Sequence, residues 1–376
     1  MNRELHIVCL DVPWPADYGG AIDMMNRIMQ FKKAGIDIHL HYFSYNERGM
    51  PNELNGYCKT IHIYERKKGR KGLSAKLPHI IVSRINEELI SNLQKDDHPI
   101  LLEGLHCTGM LPRLNLEHRR VIVRMHNEES VYYKELARAE TSWIKRLYFL
   151  RESRLLKKYT AELPDSCTYV CVSKEDIRAL TEIYHLHRVK FIPTFPTWQK
   201  VCGEEGMGNL CLYHGNLSVP ENEEAATWLL RKVFTKIRKP FVIAGKKPSR
   251  RLQKMAHLCQ HTCLVADPSE SEMNDLIRKA HINVIPGFNK SITGIRLKLL
   301  HALFEGRHCV TNEPMVKGSG LEGLCHIGTN ANAFASIITQ LYQQPFTNEE
   351  KQLRRNVLGD TYDNEKNTRQ LIQYLW

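Results

Sequence analysis

The sequence predicts an α/β protein made of two domains, each a parallel sheet flanked by helices. Three observations carry this. Short apolar runs of strand length alternate with amphipathic stretches of helical period along the chain. A stretch near 193–207, rich in proline and glycine, interrupts the alternation, which then begins again. The 376 residues also exceed what one ordinary core holds. The expected division is 1–197, 198–350 and a C-terminal helical segment, 351–376, that packs back on the first domain.

The opening unit is explicit. HIVCLDV at 6–12 is a continuous apolar run of strand length, and PWPADYGG after it is turn-rich. AIDMMNRIMQFKKAG at 21–35 repeats apolar residues at helical spacing and stops at Gly35, and IDIHLHYFS at 36–44 returns to strand. Strand, glycine loop, helix and strand form a βαβ unit, the start of a parallel sheet. PILLEGL (99–105) and RVIVRMH (120–126) are further buried-strand runs that end in polar residues. TYVCVS (168–173) is another strand, with Ser173 placed to cap the helix KEDIRALTEIY. VKFIPTFP (189–196) closes the first half.

The second half repeats the pattern. Strands are expected at 210–215, 240–245, in CLVADP, at 282–287 and at 308–312. Helices are expected at 222–237, in SRRLQKMAHL, at 271–280 with Ser269 or Ser271 as cap, and at 294–306. The segment 347–376 reads as helical and strongly charged. A helix at 142–163 places Trp143, Leu147 and Leu150 on one face and Lys145, Arg146, Arg154, Lys157 and Lys158 on others. Such a helix suits either core packing with a solvated basic face or rest on an anionic membrane surface.

Composition narrows the class. Hydrophobic residues make up 42% and charged residues 25%, the balance of a soluble globular protein. No stretch approaches the roughly 18 apolar residues that span a bilayer. The N-terminus, MNRELHIVCLDVPWP, lacks the cleavage site of a signal peptide, so a cytoplasmic location is expected, with peripheral membrane contact compatible. The eleven cysteines are scattered and read as small buried hydrophobes. His257, Cys259, His261 and Cys263 alternate strictly, unlike paired zinc ligands, and read as a helix-to-strand junction; no metal is expected. A net charge of +12 predicts attraction to polyanions, and without a recognisable nucleic-acid module the expected partner is not nucleic acid.

Ligands of open parallel sheets bind beyond the carboxyl ends of the strands. Gly19 and Gly20 follow the first strand and permit close approach of backbone N–H groups to an anion. The G-x-G-x-x-G fingerprint is absent, which argues against a standard NAD site. In SITGIRLKLL, Thr293 and Gly294 precede a helix start that carries Arg296 and Lys298. Cations, helix dipole and free N–H donors together suit a diphosphate. Arg124, His126, Asn127 and Glu128 end the strand RVIVRMH, where a histidine can bond a sugar hydroxyl or move a proton. Glu103 ends another strand and could orient a sugar or a histidine such as His106, and Lys246 and Lys247 follow the strand FVIAG.

These residues resemble glycosyltransferases of the GT-B fold, of the family 4 type, a retaining group with two Rossmann-like domains facing across a cleft. The resemblance runs through PWPADYGGAIDMMNRI, RMHNEES, LYHGNLSVPENEEAATWLL, FVIAGKKPS and ADPSESEMNDLIRKAHINVIPGFNKSITGIRLKLLHALFEGRHCVTN. It is closest to bacterial members that build surface polysaccharides. It implies that Gly19 and Gly20 line the donor phosphates, that His126 sits by the transferred sugar, and that Gly215 and Asn216 open the donor domain's first loop. Lys246, Arg296 and Lys298 would neutralise the leaving diphosphate without a metal or other cofactor. Thr293 and His301 stand where members carry two glutamates, and His301 could replace the ribose contact. Ser218 and Asn222 stand where many carry a basic pair. The expected partners are a UDP- or GDP-sugar donor and a saccharide or lipid-linked acceptor. A sugar-nucleotide epimerase and a non-catalytic nucleotide-sugar-binding protein of the same fold are the competing expectations.

Overall fold

The computed structural model describes residues 3–44, 51–67, 69, 74–288 and 297–376. The chain forms two compact units. One contains residues 1–197 and 362–376; the other contains 198–292 and 296–361.

The first unit holds β1 (Glu4–Cys9), β2 (Asp37–Ser44), β3 (Thr60–Glu65), β4 (Ile100–Glu103), β5 (Val121–Met125), β6 (Thr168–Cys171) and β7 (Val189–Phe191). Among the described residues the sheet order is β3-β2-β1-β4-β5-β6-β7, and every pairing is parallel. The apolar runs are continuous because both faces are covered. Leu5, Ile7 and Cys9 of β1 pack with Met24, Ile28 and Phe31 of the Gly19–Lys33 helix. Val8 points the other way, into a core with Leu102, Val123 and Cys171.

The second unit holds β8 (Leu210–His214), β9 (Phe241–Gly245), β10 (Thr262–Ala266), β11 (Ala280–Ile285), β12 (His308–Thr311) and β13 (His326–Ile327). Its order is β10-β9-β8-β11-β12-β13, again parallel throughout among the described residues. Strand order therefore reverses between β1 and β4 in one sheet and between β8 and β11 in the other.

Local signals act as their chemistry requires. The Ser173 side chain accepts from Asp176 N, and Ser269 forms a full capping box with Glu272. β3 was not legible: its sequence TIHIYE lies at the sheet edge, half-exposed, and so lacks a buried-strand pattern. Two expected helices end in a wide π-type turn, at Ala179–Ile183 and Leu229–Val233. The C-terminal segment is two helices, not one. Asn348–Thr361 stays with the second unit, and Asn364–Leu375 packs on the first, where Leu371 and Leu375 join Ile28 and Phe31. The crossing point is thus 361/362 rather than 350/351.

Candidate active site

In the first unit, the functional side chains gather at the carboxyl ends of β4 and β5. β4 ends on Glu103, which is only 1% exposed. Arg27 donates from Nε to Glu103 Oε1 at 2.8 Å and from Nη2 to Oε2 at 2.7 Å. The same Nη2 donates to Asp23 Oδ2 at 2.9 Å. Asp23 and Arg27 lie one turn apart on the Gly19–Lys33 helix, so both point under the sheet end. Arg124 of β5 lies 3.5 Å from Asp23 and donates to the carbonyls of Ile192 and Pro193. Asp23 Oδ1 accepts from Phe195 N at 2.6 Å.

His126 stands on this base. Its Nε2 donates to Glu103 Oε2 at 3.1 Å, and its Nδ1 is 3.7 Å from Asp23 Oδ2. Glu103 thus orients His126, not His106. It is a positioning carboxylate, too buried and too fully bonded to hold a sugar itself. Gly104 makes room for this: at φ 89° a Cβ there would lie 3.1 Å from His106 Nδ1 and 3.5 Å from His126 Cδ2. His106 is half-buried, and loss of solvent around its ring holds it well below its ordinary pKa, with Arg84 adding to the effect.

Two carboxylates and two guanidiniums balance one another here. Burial by itself would raise Asp23 and Glu103, but Arg27 and its neighbours hold both below the usual carboxylate range. Asp23, Glu103 and His126 each offer a ligand atom within 4.8 Å of the others. Arg27 and Arg124 together already balance the two carboxylates, so the donor set does not favour a cation. Glu129, three residues beyond His126, is the opposite case. Burial pushes its carboxyl up to about 7, and Glu128 and Asp176 add to the rise against a hydrogen bond from Asn127.

Gly19 and Gly20 open the first helix, whose N-terminus has no side-chain cap and no acidic residue in its first turn. Its leading N–H groups therefore keep their affinity for an anion.

In the second unit, the carboxyl end of β8 carries Tyr213, His214 and Gly215. Lys298, in the Leu297–Glu305 helix, donates from Nζ to Asn222 Oδ1 at 2.8 Å and to Tyr213 Oη at 3.4 Å. It also lies 5.3 Å from the Tyr213 ring centroid. Asn222 Nδ2 donates to the Asn216 carbonyl at 2.8 Å, and Asn216 Oδ1 is spent within its own turn on Ser218. Gly245 is required beneath this loop, because a Cβ there would come within 1.9 Å of the Gly215 carbonyl oxygen. Lys246 follows it, exposed.

His301 lies deeper. Its Nε2 donates to Asn274 Oδ1 at 2.7 Å, and its ring stacks on Trp198 at 4.0 Å between centroids. Burial, with Arg278 assisting, lowers it to about 3, so it stays neutral. Thr293, Gly294 and Arg296 lie outside the described residues. The segment His257 to Cys263 is the end of the Arg250–His257 helix and the start of β10, and it is not among the groups of described residues whose ligand atoms converge.

Asp23, Arg27 and Glu129 escaped sequence reasoning. A signal for the first two existed: opposite charges one turn apart on a helix face otherwise buried as Ala21, Met24, Met25 and Ile28. None existed for Glu129.

Both sheets carry these groups beside the reversal of strand order, where open α/β sheets bind ligands. No family model matches the chain. An uncharacterized 44.6 kDa protein in cps region of Klebsiella pneumoniae is 25% identical over 334 residues, 84% of each chain. Among solved structures, a variant of S. aureus TarM in complex with fondaparinux, alpha-GlcNAc-glycerol and UDP superimposes with a TM-score of 0.66 at 12% identity over all of both chains. The alpha,alpha-trehalose-phosphate synthase (UDP-forming) from Burkholderia xenovorans, in complex with glucose-6-phosphate, gives 0.64 at 12% identity, again over all of both chains. The fold is GT-B. In GT-B terms, the candidate residues occupy the switch point of each Rossmann-like unit, with His126 in the first and Lys298 in the second.

Proposed function

We propose that this chain is a glycosyltransferase. It moves a sugar from a UDP- or GDP-sugar to a saccharide or lipid-linked acceptor, with retention and without a metal, in cell-surface polysaccharide synthesis. The observation that carries the reading is the placement of charged and hydrogen-bonding groups at the switch point of both sheets. The solved structures that share the fold include one with bound UDP and one UDP-forming synthase, which supports a nucleotide donor.

Each group then has a task. Lys298, seated by Asn222 and Tyr213, meets the diphosphate with a fixed cation, and Lys246 and Arg296 add charge. A cation held in place before the reaction needs no reorganisation as charge develops on the leaving group. His126, its tautomer set by Glu103, offers a fixed imidazole to the sugar. Arg27 keeps Glu103 ionised as that acceptor. The charge balance beneath His126 supports the metal-free reading. The acceptor side supports a peripheral membrane contact: in the Trp143–Ala161 helix, Trp143, Ile144 and Leu147 are 70%, 62% and 57% exposed, among basic residues.

The test is calorimetry and turnover with a panel of UDP- and GDP-sugars. Lys298→Ala should weaken nucleotide binding about tenfold, the worth of one charged hydrogen bond, and His126→Ala should lower turnover while leaving nucleotide affinity near wild type. Absence of affinity for every UDP- and GDP-compound would overturn the proposal. Donor turnover that needs no acceptor would turn it into an epimerase or hydrolase.

A further inference from the structure

A second group of side chains converges at the other end of the second sheet, at the amino ends of its last strands. His308 opens β12 and His326 opens β13. The parallel register sets Val310 beside His326, so His308, two residues before Val310, stands on the same face as His326. Glu350 lies in the first turn of the Asn348–Thr361 helix. One ligand atom from each of the three lies within 4.8 Å of the other two.

His308 is only 2% exposed. Its Nε2 donates to the Gln344 carbonyl at 3.1 Å, which leaves Nδ1 as a lone pair. That Nδ1 is 3.2 Å from Glu350 Oε1 and has no hydrogen-bond partner. Two electron-rich atoms face each other, and the contact is repulsive unless positive charge lies between them. The carboxylate cannot turn away freely: Glu350 Oε2 accepts from Thr347 N at 2.9 Å, and Glu350 N donates to Thr347 Oγ1. Two ligands on one tetrahedral ion, with bonds near 2.0 Å, stand about 3.3 Å apart, which matches the observed gap. His326 meets His308 edge-on, with 5.7 Å between centroids. The neighbouring His281 is excluded, because Leu341 O and Gly208 N occupy both of its ring nitrogens.

A proton on His308 would also supply the charge, but Nδ1 makes no hydrogen bond to the Glu350 carboxylate in spite of the 3.2 Å approach, so the oxygen does not lie where an N–H would point. Two imidazoles and a carboxylate are the donors of zinc-class ions rather than of magnesium or calcium. We propose that His308, His326 and Glu350 bind one divalent ion of the zinc class. The ion joins β12 and the edge strand β13 to the Asn348–Thr361 helix, and water fills its remaining position. This site is independent of sugar transfer, since it lies at the opposite strand ends from Lys298.

The experiment uses the full chain, stripped with a chelator and titrated with Zn2+ by calorimetry, with thermal melts in parallel. One saturable site is expected, with a melting temperature that rises with added Zn2+. His326→Ala and Glu350→Gln should weaken binding roughly tenfold or more and abolish the thermal shift. Both positions are half-buried, so the metal-free variants should melt near the wild type. No saturable binding by the wild type, or equal binding by both variants, would overturn the site. So would a thiolate charge-transfer band on Co2+ substitution, which would place the ion on cysteines.

Discussion

Glu129 follows Glu128 in sequence and differs from it in environment. Glu128 spends its carboxylate on Val131 N, Ser130 and Tyr184. Glu129 is buried beside that charge, and its carboxyl rises to about 7. A raised carboxyl means the folded state keeps a proton that the unfolded chain has released, so its contribution to stability falls as pH rises from about 4.5 to 7 and then levels off. Glu129→Gln should therefore gain on wild type across that window, by about 1–3 kcal/mol at pH 8. Urea melts of both proteins at pH 4.5 and 8 measure this; a constant difference between the two pH values would show that Glu129 does not titrate there. The same side chain is a candidate proton donor near neutrality, three residues from His126. Arg27 illustrates the opposite economy at this scale. It is fully buried, yet two carboxylates make its charge tolerable, and removing one partner of such a pair costs about 3–5 kcal/mol.

At the scale of elements, the Trp143–Ala161 helix and the Asn364–Leu375 helix treat their apolar residues differently. The latter buries Leu371 and Leu375 against the first helix of the chain. The former buries Glu152, Leu156 and Thr160 toward its C-terminal half and leaves Trp143, Ile144 and Leu147 in solvent at its N-terminal end. Lys145 and Arg146 are interleaved with them. Apolar side chains that large do not remain exposed at no cost, and their mixture with cations matches an anionic lipid surface. Vesicles carrying anionic lipid should bind the protein and shift Trp fluorescence to the blue; neutral vesicles should do so weakly. Lys145→Ala and Arg146→Ala should each cost about 1 kcal/mol, roughly fivefold in partitioning. Equal partitioning of the wild type into neutral and anionic vesicles would remove the electrostatic part of the claim.

Across the whole molecule, the recurrent theme is the buried neutral histidine. Burial lowers His6 to about 4, His41 to about 2 and His301 to about 3. The unfolded chain takes up protons at these positions near pH 6.5, whereas the folded chain resists until far lower pH. Their stabilising contribution is therefore complete above about pH 6.5 and is lost progressively as pH falls. Thermal melts should show a marked drop in melting temperature from pH 7 to pH 5, in buffers of equal ionic strength. A flat profile over that range would mean that these rings are hydrated or already protonated in the native state. His6 and His41 hydrogen-bond each other at 2.9 Å within the first sheet, so the loss should be cooperative with unfolding of that unit.

Much of this architecture could be read from the chain alone. Strand runs, helical periods, the Ser173 and Ser269 caps and the break near residue 197 are local signals, set by side-chain spacing and backbone preference within a few residues. His126 and Lys298 could be named because strand ends and helix starts are local as well. The partners of these residues could not be. Glu103 lies 76 residues from Arg27, and Lys298 lies 76 from Asn222. Which carboxylate meets which cation follows from strand order, and no periodicity encodes strand order. For the same reason Glu103 joined His126 rather than His106, β3 at the edge went unread, and His308 found Glu350 across a helix. Burial and its partners then set the charge states: an identical side chain is pushed up to about 7 at Glu129 or held below the usual carboxylate range at Glu103 according to what folding places around it.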